Sequence, residues 1–86
     1  MNIGKLHRIK KVTKSRNTNV VAVVESPEIL FTKAMDEMFA DEIFIPLELV
    51  SKSRKLEVLK VCTSKGIKGY AAFFLDEFEY EEVNVS

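Results

Sequence analysis

The sequence predicts an α+β domain: a mainly antiparallel sheet made of an N-terminal and a C-terminal hairpin, with one or two helices packed on one face. Three observations predict it. Val20-Val21-Ala22-Val23-Val24 is an uninterrupted β-favouring run of the kind buried on both faces. Ser26-Pro27-Glu28 reads as a helix start, and apolar residues follow it at helical spacing. Tyr70-Ala71-Ala72-Phe73-Phe74-Leu75 and Phe78-Glu79-Tyr80-Glu81 read as a buried and a half-buried strand around a short acidic turn. The chain has 86 residues, 47% hydrophobic and 30% charged, which suits one compact domain over residues 1–86 and argues against disorder.

The elements follow in order. Ile3, Leu6, Ile9 and Val12 recur every three residues, which fits neither a strand nor a good helical stripe. The β-branched Ile9, Val12 and Thr13, together with Gly4, favour a strand over residues 3–14. Ser15-Arg16-Asn17-Thr18-Asn19 is a turn cluster, so this strand and Val20–Val24 are expected to form a hairpin. A helix is expected over 27–40. Ser26 caps it, Pro27 suits its first position, Glu28 opposes the positive dipole end, and Phe31, Ala34, Met35, Met38 and Phe39 share one face. Ile43-Phe44-Ile45-Pro46-Leu47 marks a short edge strand, or one ended at Ile45, because Pro46 has no N–H for a ladder.

Residues 52–64 read two ways. As a helix, Leu56, Leu59 and Cys62 align and Gly66 ends it; as a strand, Val58, Val61 and Thr63 are favourable. The helix is preferred, although Lys52, Arg54 and Lys55 oppose the dipole at its start. Asp76-Glu77 turns a C-terminal hairpin, and the apolar phase shifts to Val83 and Val85, which predicts a bulge near Glu81-Glu82. Over Ile45-Pro46-Leu47-Glu48-Leu49 the chain resembles the Ile-Pro-x-Glu-Leu segment of AbrB-like swapped-hairpin proteins. The surrounding spacing departs from that family, and nothing is carried over.

Several chemistries are disfavoured. With one cysteine, Cys62, and one histidine, His7, an intrachain disulfide and a four-ligand N/S zinc site are excluded, and a reducing, cytoplasmic setting fits. Cys62 lies among apolar residues and reads as a buried inert thiol, while His7 in the run Lys5-Leu6-His7-Arg8 reads as a solvated strand residue. Glycine-rich phosphate loops are missing, and the paired acids Asp36-Glu37, Asp41-Glu42, Asp76-Glu77 and Glu81-Glu82 read as solvated faces. No catalytic residue, metal or cofactor is expected, and no enzymatic activity. No apolar run approaches the roughly 18 residues of a membrane span, and no signal peptide or membrane partner is expected.

The charges are sorted although they cancel. Residues 1–24 carry +6, 25–50 carry −6, 51–75 carry +5 and 76–86 carry −5. Such blocks can make opposed faces, or neutralise one another within the fold. The preferred expectation is a small non-enzymatic interaction protein, a regulator or inhibitor of another protein or complex. It would use the terminal strand residues Phe78, Glu79, Tyr80, Glu81 and Glu82, whose edge can pair with another chain. Complementary blocks also suit a homodimer. The alternative is nucleic-acid binding through Arg8, Lys10, Lys11, Lys14 and Arg16, with Lys65 and Lys68. The last two flank a GxxG, Gly66 to Gly69, of the type that clamps backbone nucleotides in KH domains.

Overall fold

A computed structural model of the chain describes residues 1–12, 20–28, 34–75 and 78–84, with the side chains of Lys11 and Val12 outside the description. It is an all-β structure, and no helix occurs among the described residues. The strands are β1 (His7–Val12), β2 (Val20–Val24), β3 (Asp36–Phe39), β4 (Ile43–Lys52), β5 (Leu56–Thr63), β6 (Lys68–Phe74) and β7 (Phe78–Glu82). All pair antiparallel in one sheet of order β3-β2-β6-β5-β4-β1-β7.

The sheet curls into a half-barrel. β5 and β7 are three strands apart in the order, which in a flat sheet means about 14 Å at a spacing of ~4.8 Å. Yet the Tyr80 hydroxyl of β7 donates to Glu57 Oε1 of β5 at 2.9 Å. Likewise Phe73 of β6 meets Phe78 and Tyr80 edge-on, with ring centroids 6.3 and 6.1 Å apart. The concave face therefore closes on itself. Its core is Ile9, Val21, Val23, Met38, Phe44, Leu59, Val61, Ala71 and Phe73. Strand alternation puts them there: in β5, Glu57, Leu59, Val61 and Thr63 point inward, while Lys60 and Cys62 stay half-exposed on the other face. Right-handed twist and register slips in β1 and β4 supply the curvature.

Several expectations are corrected. The chain is not α+β, and neither helix survives. Residues 52–64 contain the β4–β5 turn and β5, which has partner strands on both sides. The β-branched Val58, Val61 and Thr63, and the cations that oppose a helix start, carry the strand reading through. The expected helix 27–40 covers residues 29–33, which lie outside the described residues, but its C-terminal part is β3. There Asp36 and Met38 turn inward against Val23 and Val21 of β2, a period of two that replaces the helical stripe. Met35 and Phe39, expected on the buried face, are exposed. Ser26 does cap a turn, with Oγ accepting from the Glu28 N–H at 3.3 Å.

Neither expected hairpin forms. Among the described residues β1 pairs with β4 and β7, β2 with β3 and β6, and β7 with β1. The bulge expected near Glu81-Glu82 is absent: the register runs unbroken from Glu82 to Tyr80, and the slip in this strand pair lies in β1, between Ile9 and Lys11. The expected turn at residues 15–19 falls outside the described residues, as does Asp76-Glu77. β4 is longer than expected and runs through Pro46.

Candidate functional site

The two residue sets singled out by sequence meet each other. β1 and β7 lie side by side, with Arg8 opposite Glu81 and Ile9 opposite Tyr80. Arg8 Nη1 stands 3.5 Å from Glu81 Oε1, and Lys10 Nζ 4.0 Å from Oε2 of the same carboxylate. Glu82 accepts from the Asn2 side chain. Phe78 and Tyr80 are half-buried, packed on the core through Phe73, so they are not surface anchors. Burial, then the Glu57 carboxylate, pushes the Tyr80 phenol up to about 12. Glu79 is exposed. Lys11 sits opposite Glu79 in the backbone register. Lys14 and Arg16 lie outside the described residues.

The second pair of charge blocks also meets. Lys65 Nζ binds Asp36 Oδ1 at 2.9 Å. Burial works to raise the Asp36 carboxyl, but the hydrogen bond from Lys65, with those of Glu37 and Thr63, brings it below the usual value. The same contact raises the Lys65 ammonium above its ordinary value, helped by Glu42 and Glu37. Lys68 is exposed. The GxxG glycines both have structural roles. Gly66, at φ 81°, turns the β5–β6 hairpin, where its N–H donates to Thr63 O at 2.9 Å. Gly69 is buried where β2 comes close: a Cβ there would stand 2.6 Å from Val23 Cγ1 and 2.8 Å from Val24 O.

His7 is buried rather than solvated. Its Nδ1 lies 2.8 Å from the Lys5 carbonyl and its Nε2 is 3.3 Å from the Asn2 N–H, which assigns the ring proton to Nδ1. Both nitrogens serve the fold. Cys62 is half-exposed on the outer face of β5, which corrects its reading as a buried thiol. Among the described residues no group of three or more His, Cys, Asp or Glu side chains is placed to hold a metal ion. No helix among them is long and apolar enough to cross a membrane.

What sequence reasoning missed lies on β4. Its first residues pair with β1 at Ile43 and Phe44, and the Gly4 N–H donates to Pro46 O at 2.7 Å. From Leu47 to Lys52 the strand pairs only with β5 among the described residues, so its other edge is open. Every residue of that stretch is exposed, including Leu47 at 36%, Leu49 at 45% and Val50 at 39%. Register slips between Pro46 and Glu48 and between Leu49 and Ser51 break the inside–outside alternation, which leaves apolar side chains in solvent. Of Leu47-Glu48-Leu49-Val50 only Val50 is a β-favouring type, so the strand past the proline shows in its pairing with β5 and not in its composition. Pro46 does mark an edge, but the strand does not end there. Comparison with family models, with curated proteins and with solved structures finds no match to this chain.

Proposed function

We propose that the chain is a non-enzymatic interaction protein that binds another polypeptide by strand addition along the outer edge of β4. One observation carries the reading: among the described residues, Leu47 to Lys52 combines an unpaired strand edge with three exposed apolar side chains. A strand edge offers main-chain donors and acceptors for affinity, and its side chains supply selectivity. A small module acting this way regulates or inhibits by occupying an edge that its partner would otherwise use. The basic strand β1 is a weaker candidate for nucleic acid, because Arg8 and Lys10 already share Glu81.

Affinity capture with the tagged full chain tests this, using nuclease-treated extract from the native host beside a Leu49→Asp/Val50→Asp variant of matched thermal stability. The expected result is a polypeptide retained by the wild type and lost by the variant. Capture that disappears on nuclease treatment, or that the variant retains in full, overturns the reading.

A further inference from the structure

We propose that His7 and Glu82 form a pH-sensitive latch, which holds the N-terminal arm, residues 1–5, against the sheet and releases it when the imidazole gains its second proton. The two residues face each other across β1 and β7. Alternation puts His7 on the concave side with Ile9, and Glu82 on the same side as Tyr80. Directly opposed side chains stand within ~5.5 Å at Cβ. Asn2 of the arm joins them: its N–H donates to His7 Nε2 at 3.3 Å, and its side-chain amide donates to Glu82 Oε1. The arm is tied further by Met1, packed on the core, and by the Gly4 N–H, which donates to Pro46 O of β4 at 2.7 Å. Within it the Lys5 N–H closes a turn on Asn2 O at 3.2 Å.

These contacts require a neutral ring. The Lys5 carbonyl, 2.8 Å from Nδ1, can only accept, so the one ring proton sits there and Nε2 accepts from Asn2. A second proton makes Nε2 a donor that faces the donor N–H of Asn2. The Glu82 carboxylate beside it is a better acceptor, and a hydrogen bond between charged partners is stronger than a neutral one. Asn2 then loses both partners together. His7 and Glu82 hold Asn2 jointly in one state and each other in the second. One backbone hydrogen bond and Met1 remain, too little to offset the conformational entropy of an ordered arm.

The other groups around the ring leave this exchange to His7 and Glu82. β4 presents the uncharged Phe44, and β7 presents Tyr80, whose phenol at about 12 stays protonated throughout. The buried Glu57 carboxylate of β5 lies beyond Tyr80 and is engaged by its hydroxyl. On β1 Arg8 pairs with Glu81, and the arm carries Lys5 and the Met1 amine, cations that repel an imidazolium and favour release. The latch is whole while the ring is neutral and is lost as pH falls through the histidine range, about 8 to 5. Once the arm lifts, Pro46 O joins the edge that Leu47 to Lys52 leave open among the described residues, so acid lengthens the free edge of β4. Binding at the longer edge rests on the reading of β4 as a pairing edge; the latch does not.

NMR on the 15N-labelled full chain between about pH 8 and pH 5 tests the latch. At the high end the ring is expected to carry its proton on Nδ1 alone. As Nε2 is protonated, the Asn2 and Gly4 amide signals are expected to move to disordered positions and lose their heteronuclear NOE, while those of β5 and β6 hold. The ordered fraction of the arm is expected to fall about tenfold. His7→Gln can still donate to Lys5 O and accept from Asn2 but cannot gain charge, so it is expected to hold the arm across the range. Glu82→Gln keeps an acceptor for Asn2 and removes the anion, so release is expected at a lower pH, by about one unit. An arm that stays ordered while Nε2 is protonated overturns the latch, as does release that His7→Gln leaves unchanged. Should His7→Gln fail to fold, the exposed Glu82→Gln decides: a release midpoint identical to wild type overturns the exchange.

Discussion

Replacing Tyr80 with Phe tests how the half-barrel is closed. The ring keeps its place against Phe73 and His7, both about 6.1 Å away, so only the hydroxyl is lost. That hydroxyl donates to Glu57 Oε1 at 2.9 Å, and Glu57 is 4% exposed. Removing a donor to a buried charged acceptor costs about 1.5–3 kcal/mol. An expected loss of about 2 kcal/mol lowers the melting temperature by roughly 8–16 °C for a domain of this size. Urea unfolding followed by far-UV circular dichroism measures it. The double variant Tyr80→Phe/Glu57→Leu is expected to recover much of the loss, because no buried carboxylate then lacks a partner. The pair also has an alkaline signature. With the folded phenol raised to about 12 from an ordinary 10.0, the folded form holds its proton longer. Its contribution is full below pH 10 and is lost as pH rises toward 12, and Tyr80→Phe removes that part of the slope. A Tyr80→Phe variant within about 0.5 kcal/mol of wild type, or single losses that simply add in the double variant, would refute closure of β7 over β5.

Other outcomes follow from the same structure. Gly69→Ala must move Val23 Cγ1 and the Val24 carbonyl, and is expected to cost about 1–3 kcal/mol by urea unfolding. Asp36 has a lowered carboxyl, so its contribution is present above the unfolded value of 3.8 and fades as pH falls below it. Asp36→Asn is expected to flatten the acid limb of a melting-temperature profile. Glu81→Gln removes the anion shared by Arg8 and Lys10, whose pairs are well exposed, and is expected to cost under about 1 kcal/mol. A larger loss in thermal melts would mean that the charge contact itself sets the β1–β7 register.

The sequence made some elements visible and hid others for physical reasons. Val20–Val24, Phe78–Glu82 and residues 70–74 were legible as strands because β-branched and aromatic residues need no partner to be recognised. Residues 56–63 were not, because Leu56, Leu59 and Cys62 satisfy a helical spacing while Glu57, Leu59, Val61 and Thr63 satisfy a strand. Only the partners β4 and β6 decide between them. The segment before β3 misled more strongly. Ser26 and Pro27 are real local signals, but they organise a turn, and pairing with β2 claims Asp36 to Phe39. Pairing partners were the least readable property. Adjacent strands in sequence suggested hairpins, whereas β1 finds β7 across almost the whole chain. The sorted charges held that information in plain view: the basic first block meets the acidic last one. The candidate site at Leu47 to Lys52 stayed hidden because its open edge follows from where β1 begins, at His7, and its exposed side chains from the slips in β4, not from any motif.

The place of β1 in the sheet has a consequence for the order in which the protein can be made. Its neighbours are β4 and β7, and β7 leaves the ribosome after the other six strands. Until then, a nascent chain carries Arg8 and Lys10 without Glu81, and Phe73 lacks the rings of Phe78 and Tyr80. Closing so long a loop is entropically costly before it is rewarded, so folding is expected to be slow and to finish only after β7 has emerged. During that delay β4 shows both its temporary opening toward β1 and its lasting open edge at Leu47 to Lys52. Newly made copies are therefore most exposed to wrong pairing at birth, when chaperones would find the greatest extent of bare strand.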